Sequence, residues 1–236
     1  MNTSIQNISK YLFPFLVLVF AGFYLLNEPL YRLLMEEDHL VEWLTFLFLL
    51  LSGLSSAVLA NYIKQRYNYF NWFFIVFSGF CILAGFEEIS WGQRVFGVES
   101  TEFFLTHSDQ KEINFHNTFQ GTVGIKTKHI ALLAMFIYGV ILPWREKRND
   151  RIVGWLKAHY LIIPPAFMIP GFLMASALML DFQTGAEEEI GEFFFSICFL
   201  LMIQWNHHLF KTGNTLASLS GDKMIKQKPL LQSKAA

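Results

Sequence analysis

The chain has 236 residues, 53% of them hydrophobic, 17% aromatic and 16% charged, with 26 Phe and a formal net charge of −1. A soluble domain of this length has no need for so much Phe, and the apolar residues come in blocks rather than at amphipathic spacing, which excludes a soluble globular enzyme. The near-neutral balance gives no basis for a nucleic-acid partner; the information lies in where the charges stand.

Roughly 20 apolar residues are needed to cross a bilayer as a helix, and six stretches qualify: about 10–27, 40–63, 69–90, 127–144, 159–180 and 186–210. The first begins at Lys10 and carries Pro14. It lacks a small-x-small cleavage site before Asn27-Glu28-Pro29, so it reads as an uncleaved span rather than a signal peptide. In the second, Glu42, Thr45, Leu49, Ser52 and Ser56 recur at spacings of three and four. In the third, Asn71, Phe74, Ser78, Cys81, Gly85 and Glu88 do the same. Such stripes of small and polar residues mark helix–helix contact in lipid. The third span delivers two adjacent carboxylates, Glu87 and Glu88, and its helical phase turns Glu88 inward, with Glu87 about 100° around the helix.

The longest loop, about 91–126, holds Arg94, Glu99, Glu102, His107, Asp109, Glu112 and His116. The fourth span is the shortest apolar run. The fifth carries Pro164, Pro165 and Pro170-Gly171 and is expected to be kinked or partly unwound. The sixth opens with acids, and Glu188, Glu192 and Ser196 stack at intervals of four. The tail after Lys211 is polar and basic.

Lys and Arg orient these spans. Of the 18 basic residues, only Arg32, Arg94, Lys111, Lys126 and Lys128 fall on the side opposite the termini; of the 19 acidic ones, only Glu146, Asp150 and Asp222 share the side of the termini. The expected architecture is an all-α polytopic membrane helix bundle of about six transmembrane helices in the cell inner membrane, with both termini cytoplasmic. Residues 1–210 form a single transmembrane domain with an extracytoplasmic loop at 91–126, and 211–236 form a basic cytoplasmic tail. Trp43, Trp72, Trp91, Trp144 and Trp205 stand near span ends, as interfacial aromatics do. Cys81 and Cys198 lie mid-span and read as apolar packing residues.

Ionisable groups near hydrocarbon cost roughly 2–4 kcal/mol each on insertion scales, which makes the outer acids functional candidates. Glu187 and Glu189 fit equally well a solvated first helical turn favoured by the macrodipole. That account fails for Glu87 and Glu88, which end an outward-running helix. They need a partner: Arg94 in a structural ion pair, a lipid head group, a metal or a proton. Glu42, Glu88, His116 and Glu188 or Glu192 are the candidate ligands of a divalent metal (Zn, Fe or Mn), because carboxylates and imidazoles from several helices are what such sites use. Glu36-x-x-His39 and Glu112-x-x-x-His116 are weaker pairs at helical spacing. His107 and His129 read as interfacial, and His207-His208 lies at the cytoplasmic end, across the membrane from the acids.

The segment Phe86–Gly97 (FEEISWGQRVFG), followed by Asn114-Phe115-His116-Asn117, resembles an uncharacterised family of bacterial polytopic membrane proteins over about residues 35–125. That likeness implies no activity. The chain is also similar, more weakly, to membrane-embedded proteases of the CAAX-processing and bacteriocin-processing type. Their motif opens with Glu-Glu-x-x-x-Arg, continues with Phe-x-x-x-His and ends with a His/Asn helix. Glu87-Glu88 with Arg94 at a longer spacing, and Phe103-x-x-x-His107, match the first two elements, while the late histidines fall on the opposite side. The likeness implies a glutamate pair activating water beside a His.

Three functions follow from this pattern. One is an outer-leaflet hydrolase or transferase acting on a membrane lipid or lipid-linked substrate. In it Glu88 is the base or metal ligand, Glu87 its partner, His116 a ligand or acid/base and Arg94 the head-group clamp. Another is a non-enzymatic subunit or assembly factor that docks another membrane protein by its polar outer rim. The third is an ion- or proton-coupled transporter, served by the broken fifth span.

Overall fold

In the computed structural model the apolar blocks are helices, and among the described residues there is no strand. The structure describes residues 2–35, 39–108, 111–115, 118–119, 122, 127–148, 150–180 and 184–212, with only the backbone of residues 2, 3, 94 and 127. Four helices are long and apolar enough to cross a membrane. They lie in α1 (Asn2–Leu26), α3 (Leu40–Tyr67), α7 (Lys128–Glu146) and α10 (Glu187–Thr212). Two further apolar helices, α4 (Trp72–Glu88, 17 residues) and α9 (Ala166–Leu178), are shorter. The short α2 (Glu28–Met35), α5 (Gln93–Phe96), α6 (Glu102–His107) and α8 (Arg151–Ala158) lie in the connections.

The stripes read in the second and third spans are the faces on which α3 and α4 meet. Thr45, Leu49, Ser52 and Ser56 are buried, as are Asn71, Phe74, Ser78, Cys81 and Gly85. Lipid offers little hydrophobic drive for helices to associate, so close backbone approach and interhelical hydrogen bonds must do it. Both are present. Ser56 Oγ donates to the Phe74 carbonyl and Ser78 Oγ to the Gly53 carbonyl, each at 2.8 Å. A Cβ at Gly53 would stand 2.7 Å from Ile82 Cγ1 and 3.0 Å from the Ser78 carbonyl oxygen. The hairpin turns at Asn68, in the left-handed region (φ 50°), and Asn71 caps α4 by accepting from Phe73 N at 3.0 Å.

Helix α10 is the centre of the bundle: 61% of its apolar window is buried, against 17% for α1 and 11% for α7. Its phenylalanines reach every side. Phe194 packs on Phe13 of α1, Phe193 on Phe48 of α3, and Phe199 on Phe77 of α4 and Phe172 of α9. Gly191 lets α9 approach, since a Cβ there would lie 3.0 Å from the Ala175 carbonyl oxygen.

The fifth predicted span, 159–180, is helical only from Ala166. Pro164 and Pro165 have no N–H to donate, and each disfavours the helical region for the residue before it, so 161–165 runs without helix. Side chains satisfy part of the freed backbone: Tyr138 Oη donates to the Ile162 carbonyl at 2.8 Å and Trp72 Nε1 to that of His159 at 3.0 Å. Tyr138 belongs to a feature with no sequence signal, a π-helical turn at Ile137–Ile141 inside α7. There Gly139 faces Phe172 so closely that a Cβ would fall 2.1 Å from its ring.

Overpacking a tight site costs typically about 1–3 kcal/mol. Gly139→Ala is expected to lower the thermal midpoint of the detergent-solubilised protein. Gly22→Ala, with nothing within 4 Å of the new methyl, is expected to leave it unchanged or raise it, because Ala is favoured over Gly inside a helix. Equal midpoints for the two variants would contradict the α7–α9 contact.

Candidate functional site

Helix α4 stops at Glu88 in an unusual way. Ser90, Trp91 and Gly92 are three successive residues of positive φ (44°, 56° and 74°). Only Gly adopts that region at no steric cost, so Ser90 and Trp91 must be held there. Trp91 stacks on Phe86 (centroids 5.6 Å apart, planes 17°) and donates from Nε1 to Glu87 Oε1 at 2.7 Å. Ser90 Oγ donates to Glu112 Oε2 at 2.5 Å. The Gln93 amide uses both ends, accepting from Ile113 N and donating to Ser100 Oγ, each at 2.7 Å. Phe115 N donates to Glu87 Oε2 at 2.8 Å, and Asn114 Nδ2 to the Glu87 carbonyl at 2.9 Å. Glu87, Ser90, Trp91 and Gln93 therefore fold the segment after α4 back onto the helix end.

Glu88 turns the other way, into the bundle. Its side chain is hydrogen-bonded to that of Glu192 on α10, with Glu42 of α3 and Glu189 of α10 within electrostatic reach of both. All four are half-buried. Two bare carboxylates in contact repel strongly, so such a pair requires a proton or a cation between its oxygens. The register of α3 on α4 brings Glu42 to the same end as Glu88, and the first two turns of α10 supply Glu189 and Glu192.

The sequence-predicted residues separate into distinct roles. Glu42, Glu88 and Glu192 come together. Glu188 forms an ion pair with Lys128 while remaining within electrostatic reach of Glu192. Glu189, read as equally compatible with a solvated turn, joins the cluster instead; it stands three residues before Glu192, a spacing that shares a helical face. Glu187 is not solvated either: it is 8% exposed and accepts from Thr184 N (2.9 Å) and Gly185 N (3.0 Å). Glu87 joins the loop and not the cluster. His116, Glu36 and the side chain of Arg94 lie outside the described residues. His107 Nδ1 donates locally to the Phe103 carbonyl (2.9 Å), and the side chain is exposed. His207 sits at the far end of α10 against the Ser55 carbonyl (3.1 Å).

Among the described residues no three His, Cys, Asp or Glu side chains are grouped so as to hold a metal ion. The expected metal set depends on His116, outside those residues, and on Glu188, which is paired with Lys128. No protein-family model, curated protein or solved structure matches the chain.

Hydrogen bonds to a charged group contribute about 1.5–3 kcal/mol each. Glu87→Ala is expected to release the segment after α4, so that limited proteolysis of the detergent-solubilised protein cleaves it at least about tenfold faster. Glu88→Ala leaves those bonds in place and should cleave at the wild-type rate. The reverse order would reassign the anchor.

Proposed function

We propose that the chain crosses the inner membrane six times with both termini in the cytoplasm, and that it is an enzyme of the outer leaflet, a hydrolase or transferase acting on a lipid or lipid-linked substrate. The crossing number is supported by six apolar helices in the six expected places and by the pairing of their ends. Lys128 meets Glu188, and Tyr31 meets Thr184, at the acidic end; Ser9 meets Phe167, and Tyr67 meets Phe210, at the basic end.

The observation that carries the enzymatic reading is the Glu88–Glu192 contact between two helices at the mouth of the bundle. A carboxyl pair sharing one proton offers a base and an acid in one place. The base takes a proton from water as its oxygen attacks the substrate's ester carbon or phosphorus. The acid gives its proton to the leaving oxygen, and the ester bond breaks. The two carboxyls share one proton: Glu88 is the base and Glu192, its hydrogen-bond partner, the acid. Glu42 and Glu189 add carboxyl groups beside the pair; Arg94 holds an anionic head group, and His116 is a further acid/base group.

The test is turnover of lipids by protein reconstituted in vesicles of bacterial total lipid, followed by mass spectrometry. Glu88→Gln and Glu192→Gln should each lower product formation by about 10²–10⁴-fold. Glu87→Gln, which keeps an acceptor for only one of Trp91 Nε1 and Phe115 N but leaves Glu88 and Glu192 intact, should lose less than about tenfold. Wild-type turnover by Glu88→Gln would sink the assignment. Elemental analysis of wild type beside Glu88→Gln addresses the alternative of zinc, iron or manganese between the carboxylates: the shared proton predicts no stoichiometric metal in either.

A further inference from the structure

The end of the bundle opposite the acids carries a separate feature, built from the end of α7 and the helix α8. Residues 145–157 contain five cations and two acids, and both acids are already used. Arg145 donates to Asp150 Oδ2 from Nε (2.9 Å) and from a terminal guanidinium nitrogen (2.6 Å), and Lys157 pairs with Glu146. The Arg145 guanidinium holds the Asp150 carboxyl below the usual carboxylate range, so at neutral pH that acid is ionised and neutralises Arg145 rather than a neighbour. Its other oxygen caps α8 by accepting from Ile152 N at 2.8 Å. Among the described residues the internal pairs leave Lys147, Arg148 and Arg151 exposed, with no acid paired to them. Beside them large apolar groups also face outward: Trp144, Ile152 and Trp155, the last 60% exposed. Ile152 and Trp155 share one side of α8 at a spacing of three, and Val153 on its other side is buried against the protein. Arg148 lies over the Trp144 ring, 3.9 Å from the centroid.

A short helix with indoles and an aliphatic on its free side, next to three exposed cations, has the chemistry of the head-group boundary of an anionic leaflet. A soluble acidic partner would neutralise the cations but leave Trp155 and Ile152 in water. We propose that Trp144, Lys147, Arg148, Arg151, Ile152 and Trp155 form a binding patch for anionic phospholipid at the basic end of the bundle. The cations hold the phosphate-bearing head groups, and the indoles and Ile152 enter the upper acyl region. The patch is independent of the Glu88–Glu192 pair, and neither proposal requires the other.

The full chain is reconstituted in phosphatidylcholine vesicles containing either brominated phosphatidylglycerol or the same mole fraction of brominated phosphatidylcholine, and Trp quenching is read. The expected result is stronger quenching by phosphatidylglycerol in wild type, with apparent affinity reduced roughly 10–100-fold in Lys147→Gln/Arg148→Gln/Arg151→Gln. The excess should shrink in Trp155→Phe and persist in Lys64→Gln/Arg66→Gln, which removes charge from the same end of the molecule away from α8. Equal quenching by the two lipids in wild type would overturn the proposal. So would an excess that survives the triple substitution, or one that falls equally with Lys64 and Arg66. Loss of the excess on adding inorganic phosphate would show an anion site rather than a lipid site, and would overturn it too.

Discussion

Everything at the acidic end depends on how α3 and α4 are locked. Two serine hydroxyls, Ser56 and Ser78, each donate to a backbone carbonyl of the facing helix, and Gly53 lets the backbones close to a distance that no side chain would permit. In lipid a displaced hydroxyl finds no water, so a slip of register would leave both donors and their small-residue contact unmatched. The lock fixes the rotation of α4 about its own axis. That rotation decides which of two adjacent glutamates enters the bundle.

The consequence is a division of labour inside one short motif. Among its side chains with a described position, Glu87, Ser90, Trp91 and Gln93 bind the segment that follows, and Phe86 supplies the surface on which Trp91 stacks. Most of the FEEISWGQR stretch is thus accounted for by the architecture of a helix end with three left-handed residues in a row. Glu88 is the exception, since its partner comes from α10 and not from the loop. A resemblance carried by this motif therefore speaks first to how a membrane helix is terminated, and only through Glu88 to chemistry.

Much of this was legible before any coordinates. The spacing of small residues along the second and third spans marks their contact faces, and 3.6-residue periodicity separates Glu88 from Glu87. The acids at the start of the sixth span are visible, but not their partition. Periodicity puts Glu188 and Glu192 on one stripe; that Glu188 takes a cation of its own from Lys128, 60 residues away in sequence, and that Glu189 also joins the cluster, depend on tertiary contacts. Two proline residues announce a break in the fifth span; that the break is a non-helical stretch closed by Tyr138 and Trp72 depends on contacts no local rule encodes. The π turn at Ile137–Ile141 is of the same kind, a tertiary fit of Gly139 to Phe172.

The two ends of the molecule handle charge by opposite means. At the basic end Glu146 and Asp150 each have their own cation within the chain, and the surplus cations of that segment face outward beside exposed indoles. At the acidic end carboxyl groups from α3, α4 and α10 face one another, an arrangement that without a shared proton or a cation is unfavourable at any dielectric constant. Such a cluster is kept folded by the packing beneath it, namely the Ser56, Ser78 and Gly53 contacts and the phenylalanines of α10. Replacing Glu88 and Glu192 with Leu or Met would remove a cost, because two half-buried carboxyls sharing one proton are less stable there than well-packed apolar side chains of similar volume. Structural needs explain Glu87, Glu187 and Glu188, each with its donor. They do not explain the pair, and that residue of unexplained cost is the physical ground for placing chemistry there.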